Sequence, residues 1–207
     1  MRTRIDYLAD KYSFTELNES SRLRQQWQDV LEECRQTEAG PEERLRIALL
    51  NVDYVTSFEL PFRLLLTRTP QLIAALREEW GISQKNVVFN DKRFGCVYSL
   101  KASLSGVPDT FRYHLSHRIR RVVGNENTSL PYQQVAREVK APRERLKYAL
   151  EAGLLVTALD GLFWFGSQRI AADVLRLRKA GMPVVTTTVE VHDNLTGTTR
   201  KVPAYHL

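Results

Sequence analysis

Cysteine is scarce in this sequence, and its scarcity excludes two classes of small protein. The 207 residues include only Cys34 and Cys96, too few and too widely separated for a disulfide framework or a cysteine-based zinc site. Cys34 follows a glutamate pair and Cys96 lies in an apolar run, so we expect free, reduced thiols. The 43% hydrophobic and 26% charged residues are ordinary globular values, which predicts folding around a conventional core.

Long apolar runs are also missing. No stretch approaches the roughly 18 apolar residues that a membrane-spanning helix needs. The segment 1–12 lacks the apolar region of a secretory signal, and no internal repeat or low-complexity segment is visible. These features predict a cytoplasmic protein with no membrane partner.

Catalytic motifs are few, and each has a simpler interpretation. Pro-Asp at 108–109 followed by Glu-Val-Lys at 138–140 resembles the pattern with which some nucleases hold Mg²⁺. Such sites need the second motif on a strand, whereas here it ends a predicted helix. His114 and His117 have the spacing to share a metal, but no third ligand is evident. Because no phosphate-binding glycine loop or nucleophile motif occurs either, we expect neither an enzyme nor a metal or other cofactor.

Positive charge is distributed unevenly along the chain. Residues 1–100 contain 14 Lys and Arg against 15 Asp and Glu, whereas residues 101–207 contain 16 against 9. The whole excess behind the net charge of +6 therefore belongs to the C-terminal half. Cations concentrated in one half indicate a surface for an anionic partner such as nucleic acid.

The N-terminal half has the periodicity of helices. A Ser-x-x-Glu capping box predicts a first helix over 14–35, a second begins at Pro41, and a third covers 69–81. Two β-rich segments within 87–100 flank a turn-like sequence and predict a hairpin. Glycine, proline and the change of charge coincide at 104–109, which predicts a domain boundary there.

The C-terminal half opens with a predicted helix over 110–124, followed by a helix pair over 130–153. Ser129 can cap the first helix of the pair, and Pro142 opens the second. The pair matches the apolar pattern of a helix-turn-helix motif and could equally be a helical pair in the core. If it contacts DNA, the polar side chains of its second helix are Arg143, Lys147 and Tyr148.

A second helix-turn-helix is predicted after the helix 142–152. Thr157, with Asp160 three residues later, has the form of a cap for a short helix, and Gly166 makes a turn. Ser167 then caps a helix over 167–180, on which arginine and glutamine could bind guanine and adenine in the major groove. The candidate contacts on this helix are Ser167, Gln168, Arg169, Asp173 and Arg176.

Residues 184–207 predict a two-stranded ribbon, because the first strand is β-branched almost throughout and a polar turn follows. Arg200 and Lys201 on the return strand suit contact with phosphate. An alternative interpretation places a hairpin turn at Asp160-Gly161, a strong hairpin dipeptide. In that case the helix 142–152 would read DNA instead.

Residues 156–207 resemble a small winged helix-turn-helix family found in phage and plasmid-borne proteins. The resemblance covers about a quarter of the chain and implies DNA binding without fixing a biological role. The chain departs from the family at Gly161, where alanine is favoured and glycine costs about 1 kcal/mol of helix stability. The matching positions are Thr157, Leu159, Asp160, Leu162, Phe165, Gly166, Arg169, Ile170, Ala171, Val174, Leu177, Arg178, Gly181, Val184, Thr186, Tyr205, His206 and Leu207.

Together these patterns predict a mainly α protein. Residues 1–105 would form a helical domain with a small β-hairpin, used for oligomerisation or partner binding. Residues 106–207 would form a tandem helix-turn-helix region with a β-ribbon wing. The predicted function is sequence-specific binding of double-stranded DNA by a homodimer, as a transcriptional regulator or a phage or plasmid maintenance factor. The alternative is a protein-protein interaction factor that uses the helix-turn-helix fold as a scaffold.

Overall fold

A computed structural model describes residues 4–7, 14–16, 19–57, 59–89, 92–107, 113–115, 126–167, 169–193 and 195–207. The chain divides into two compact units. We call 12–116 the N-terminal unit and 1–11 with 117–207 the C-terminal unit. The first eleven residues therefore belong to the same unit as 117–207. A single boundary at 104–109, as the sequence predicts, does not describe this division.

The N-terminal unit combines helices with two small sheets. The elements of this unit are β2 (Phe14–Glu16), α1 (Ser21–Gln36), α2 (Pro41–Asn51), β3 (Val55–Thr56), α3 (Leu60–Arg63), α4 (Thr69–Trp80), β4 (Ser83–Phe89), β5 (Lys92–Ser99) and β6 (Tyr113–Leu115). A three-stranded sheet has the order β3-β5-β4, and β2 pairs with β6 in a separate two-stranded sheet.

The structure confirms several predicted elements of this unit and corrects two. The helices α2 and α4 and the hairpin of β4 and β5 lie where the sequence places them. The helix predicted over 14–35 is wrong in its start, because 14–16 is a strand and α1 is capped by Ser20, whose side chain accepts the Leu23 N–H. The helix predicted over 110–124 is wrong at 113–115, which is a strand; its other residues lie outside the described ranges. Pairing between 14–16 and 113–115 decides both cases.

A buried ion cluster holds three elements of the N-terminal unit together. Arg63 lies 2.7 Å from Glu19 and 2.9 Å from Glu59, measured between guanidinium nitrogens and carboxylate oxygens. The same guanidinium stacks over the Trp27 ring, 4.7 Å from its centroid. Thr56 donates its backbone N–H and its hydroxyl to Glu59. Two buried carboxylates therefore flank one partly buried cation, and the exposed Arg24 also lies 3.9 Å from Glu19.

The C-terminal unit is built on a four-stranded sheet. Its elements are β1 (Arg4–Tyr7), α5 (Glu126–Glu138), α6 (Pro142–Glu151), β7 (Val156–Thr157), α7 (Ala158–Asp160), a π-helical turn (Gly161–Phe165), α8 (Ile170–Lys179), β8 (Val185–Asp193) and β9 (Thr198–His206). The strand order is β1-β8-β9-β7: the long strands β8 and β9 form an antiparallel ribbon, β7 pairs with the end of β9, and β1 joins β8 in parallel.

The chain is therefore mixed α and β, and the prediction of a mainly α fold with a tandem helix-turn-helix and a ribbon wing was wrong. Both units contain sheets. The predicted ribbon exists, but as two strands of a four-stranded sheet, with Leu195 and Thr196 of its connecting turn buried. The short strands that complete the sheets are two to four residues long, so they leave no periodic signal in the sequence.

The segment before α8 is helical, which decides between the two interpretations of the sequence. Thr157 and Asp160 form the expected capping box, with 2.8 Å from both the Thr157 N and its Oγ1 to Asp160 Oδ2. The alternative hairpin turn at Asp160-Gly161 is wrong. A Cβ at Gly161 would lie 3.2 Å from the Ile170 Cβ, so glycine permits the π-helical turn to pack directly on the start of α8.

The start of α5 also differs from the sequence prediction. The helix begins at Glu126, so Ser129 lies within it rather than capping it, and Pro131 is inside the helix instead of in its first turn. The helix α6 begins at Pro142, as predicted. In the part of the chain that the structure describes, no helix is both long and apolar enough to cross a membrane.

Candidate nucleic-acid interface

Among the described residues of the C-terminal unit, α8 and the residue that precedes it carry several exposed cations. Ile170, Val174 and Leu177 form its buried stripe, since they recur at helical spacing on one side. The remaining positions therefore face away from the core. The exposed residues at its start and along it are Arg169, Ala171, Ala172, Leu175, Arg176, Arg178 and Lys179.

The start of α8 is organised by Ser167, which is not itself a surface residue. Its hydroxyl donates to Asp173 Oδ2 at 2.8 Å and accepts the Arg169 N–H at 3.4 Å. The helix begins at Ile170 with Arg169 in the capping position, so the predicted helix over 167–180 starts three residues early. Ser167 is 8% exposed, which makes it a positioning residue for this turn. Gln168 lies outside the described residues.

Asp173 brings two arginines from different helices towards the same point. Its Oδ1 lies 3.6 Å from Arg176 Nη1 on α8 and 3.8 Å from Arg143 Nε at the start of α6. Both arginines are more than half exposed, so these pairs are worth little energy. Their consequence is geometric: the beginning of α6 and the outer side of α8 form one cationic surface.

The other two candidate residues on α6, Lys147 and Tyr148, contact acidic side chains nearby in the sequence. Lys147 lies 3.7 Å from Glu151 on the same helix. Tyr148 donates its hydroxyl to Glu138 Oε2 at 3.1 Å, and this hydrogen bond raises the pKa of Tyr148. Both side chains remain largely exposed, but they lie beside acidic groups.

Arg200 and Lys201 on β9 differ, although the sequence treats them as a pair. Arg200 Nε lies 2.8 Å from the fully buried Asp193 Oδ2, and its side chain is only 18% exposed. The other oxygen of Asp193 accepts the Leu195 N–H at 3.0 Å, so this ion pair stabilises the ribbon turn. Lys201 is exposed and stands opposite Glu190 in the strand register. The ribbon thus offers one accessible cation at this point.

Two further arginines have structural contacts that sequence reasoning missed. Arg145 donates to the Val139 carbonyl at 2.6 Å and to the Phe165 carbonyl at 3.2 Å, which links α5, α6 and the turn before α8. Arg178 donates to the Val184 carbonyl at 2.8 Å and so joins α8 to the sheet. A carbonyl acceptor leaves no trace in the sequence, so no local pattern could have separated these arginines from the others.

Arg169, which precedes α8 as its cap, and Lys179, the last residue of α8, are the cations best placed for a ligand. Both are exposed, and among the described residues neither has an acidic group within ion-pairing distance. Asp173 is the acidic residue of α8, and it lies at the edge of the buried side. The outer side of α8 therefore presents uncompensated positive charge.

The described residues contain no group of three or more His, Cys, Asp or Glu side chains able to hold a metal ion. Glu138 of the nuclease-like pattern is the last residue of α5 and accepts hydrogen bonds from Gln134 and Tyr148. Pro108-Asp109 and His117 lie outside the described residues, whereas His114 lies on β6. Comparisons with family models, with curated proteins and with solved structures give no match to this chain.

Proposed function

We propose that the C-terminal unit binds double-stranded DNA, with the outer side of α8 in the major groove and the start of α6 beside the phosphate backbone. The observation that carries the proposal is the exposed, uncompensated charge of Arg169 and Lys179 at the two ends of a regular helix. Such a helix has the diameter that the major groove admits. The uneven charge of the sequence, with 16 basic against 9 acidic residues in 101–207, points the same way.

The mechanism requires positioning and no chemical step. Exposed lysines and arginines, including Arg143, would contact phosphates and set the register, while side chains from the early part of α8 contact base edges. Ser167 and Asp173 hold the start of that helix in place. Three expectations from the sequence stay predictions. They are self-association through 1–105, a role in transcription or in phage or plasmid maintenance, and the winged helix-turn-helix resemblance.

Salt dependence tests the proposal directly. Binding of the full chain to a random-sequence duplex should weaken steeply between about 50 and 200 mM salt, because each neutralised phosphate releases counterions. Arg169→Ala and Lys179→Ala should each reduce the salt slope by about one unit for every phosphate that the variant no longer neutralises. Arg68→Ala, an exposed arginine of the N-terminal unit, is the matched control and should leave the slope unchanged. A wild-type affinity independent of salt, or equal slopes in all variants, would contradict DNA binding by α8.

A further inference from the structure

The outer side of α8 is not uniformly polar. Leu175 is 53% exposed in the middle of the helix. Ala171 and Ala172 lie four and three residues earlier, which makes them its neighbours on the helix surface, and both are exposed. We call these three residues, Ala171, Ala172 and Leu175, the apolar strip of α8.

Cations border the apolar strip. Lys179 lies one turn after Leu175 on the same side, Arg176 lies on the adjacent side, and Arg169 precedes the first turn of the helix. An exposed leucine surrounded by cations is poorly suited to an apolar protein core, because burial there would also desolvate the charges. It suits a partner that has small apolar groups set between rows of negative charge.

We propose that the apolar strip contacts the 5-methyl groups of thymine, so that the protein prefers sites with thymine in the major groove. This inference rests on the DNA binding proposed above. The thymine methyl is the apolar group that a base pair presents in the major groove, where small apolar side chains contact it. Phosphates on both groove walls supply the complementary charge for Arg169, Arg176 and Lys179. Leu175 is thus a specificity-determining residue, and the flanking cations supply affinity.

Replacing thymine with uracil tests the inference, since the two bases differ by this methyl group alone. Two duplexes are compared: alternating dA and dT, and the same sequence with dU in place of dT. The full chain should bind the thymine duplex about fourfold more tightly for each methyl contacted. Leu175→Ala should reduce or abolish this preference, and it should leave the salt slope unchanged because no charge is removed.

Two further variants make the result specific. Leu175→Met keeps an apolar side chain of similar size and should retain the preference for thymine. Leu50→Ala removes an equally exposed leucine of α2 in the N-terminal unit and should retain it as well. Equal affinity of the wild type for both duplexes, or a full preference in Leu175→Ala, overturns the inference while DNA binding stands. Failure to bind either duplex overturns both proposals.

Discussion

Gly161 lies where packing against α8 leaves no room for a side chain. A Cβ there would lie 2.5 Å from Ile170 Cδ1 and 3.2 Å from Ile170 Cβ. The δ-methyl can rotate away, but the Cβ can move only with the α8 backbone. The glycine that departs from the family pattern is therefore required by close packing, and its unfavourable helix propensity is tolerated for that reason.

Gly161→Ala should destabilise the protein by about 1–3 kcal/mol, the usual cost of overpacking a core. The free energy of unfolding in urea measures this. Adding Ile170→Val should recover part of the stability, because it removes the nearest methyl. Gly106→Ala is the control, since nothing lies within 4 Å of a Cβ at that position. An unchanged stability in Gly161→Ala would show that α8 shifts without cost.

Glu59 makes the stability of the N-terminal unit depend on pH. Burial raises the pKa of its carboxyl above the ordinary value of 4.5, against the opposing effects of Arg63 and Thr56. The folded state thus binds this proton more tightly than the unfolded chain does. The contribution of Glu59 to stability is therefore fully present below pH 4.5 and is lost as the pH rises through the raised pKa.

Glu59→Gln should remove this component of the pH dependence, since an amide keeps an acceptor for Thr56 and has no charge to desolvate. Urea unfolding of both proteins at several pH values from about 4 to 8 measures it. Glu42→Gln, an exposed position on α2, should leave the wild-type profile unchanged. If Glu59→Gln also keeps the wild-type profile, the pKa of Glu59 does not differ between the folded and unfolded states, which would contradict this prediction.

Among the elements, the short helix α7 is held by the buried side chain of Asp160. Asp160 is fully buried and accepts two hydrogen bonds from Thr157, while the Thr157 hydroxyl accepts the Asp160 N–H at 3.1 Å. This reciprocal capping fixes the direction in which the chain enters the π-helical turn and hence α8. Because the π-helical turn leads into α8, the cap also helps to fix the position of the proposed interface.

Asp160→Ala should cost about 2–4 kcal/mol, since it removes the cap and leaves buried donors of Thr157 without this acceptor. Asp160→Asn should cost less, because one amide oxygen can still accept. Ser20→Ala, which removes the part-buried cap of α1, should cost only about 1 kcal/mol. Thermal or urea unfolding ranks the three variants. An Asp160→Ala variant no less stable than Ser20→Ala would contradict the importance of the buried cap.

At the scale of the whole molecule, the C-terminal unit is discontinuous in sequence. It consists of 1–11 and 117–207, and β1 pairs with β8 at the registers of Val191 and Asp193. The ribbon is therefore completed by the opposite end of the chain. A fragment of 106–207, which starts at the predicted boundary, lacks β1. If this fragment binds DNA more weakly than the full chain, the loss of β1 would explain the difference as well as the loss of the predicted dimer interface in 1–105 would.

Deletion of 1–11 should expose the edge of β8. Amides of β8 near Val191 should then exchange with deuterium roughly tenfold faster or more, because the deletion removes pairing hydrogen bonds of about 1 kcal/mol each. Amides of the hairpin of β4 and β5 serve as the internal control, since they belong to the other unit. Equal exchange of β8 in the deleted and full chains would show that β1 does not protect the ribbon.

Local signals in the sequence were sufficient for the elements whose cause is local. Proline begins α2 and α6 and occupies the first turn of α4, and glycine follows the ends of α4 and α6; both residues act through the backbone of a single turn. The capping box at Thr157 and the β-branched ribbon were found in the same way. The concentration of positive charge in the C-terminal half is likewise a property of composition.

Only the tertiary structure decided the sheet composition and the accessibility of each arginine. The strands β1, β2 and β6 form because partners distant in sequence offer them hydrogen bonds, and two to four residues carry no periodicity of their own. Arg145 and Arg200 are held by a carbonyl and a buried carboxylate, whereas Arg169 faces outward. The sequence shows that arginine is present at each position; whether it is available to a ligand depends on which acceptors the fold brings within hydrogen-bonding distance.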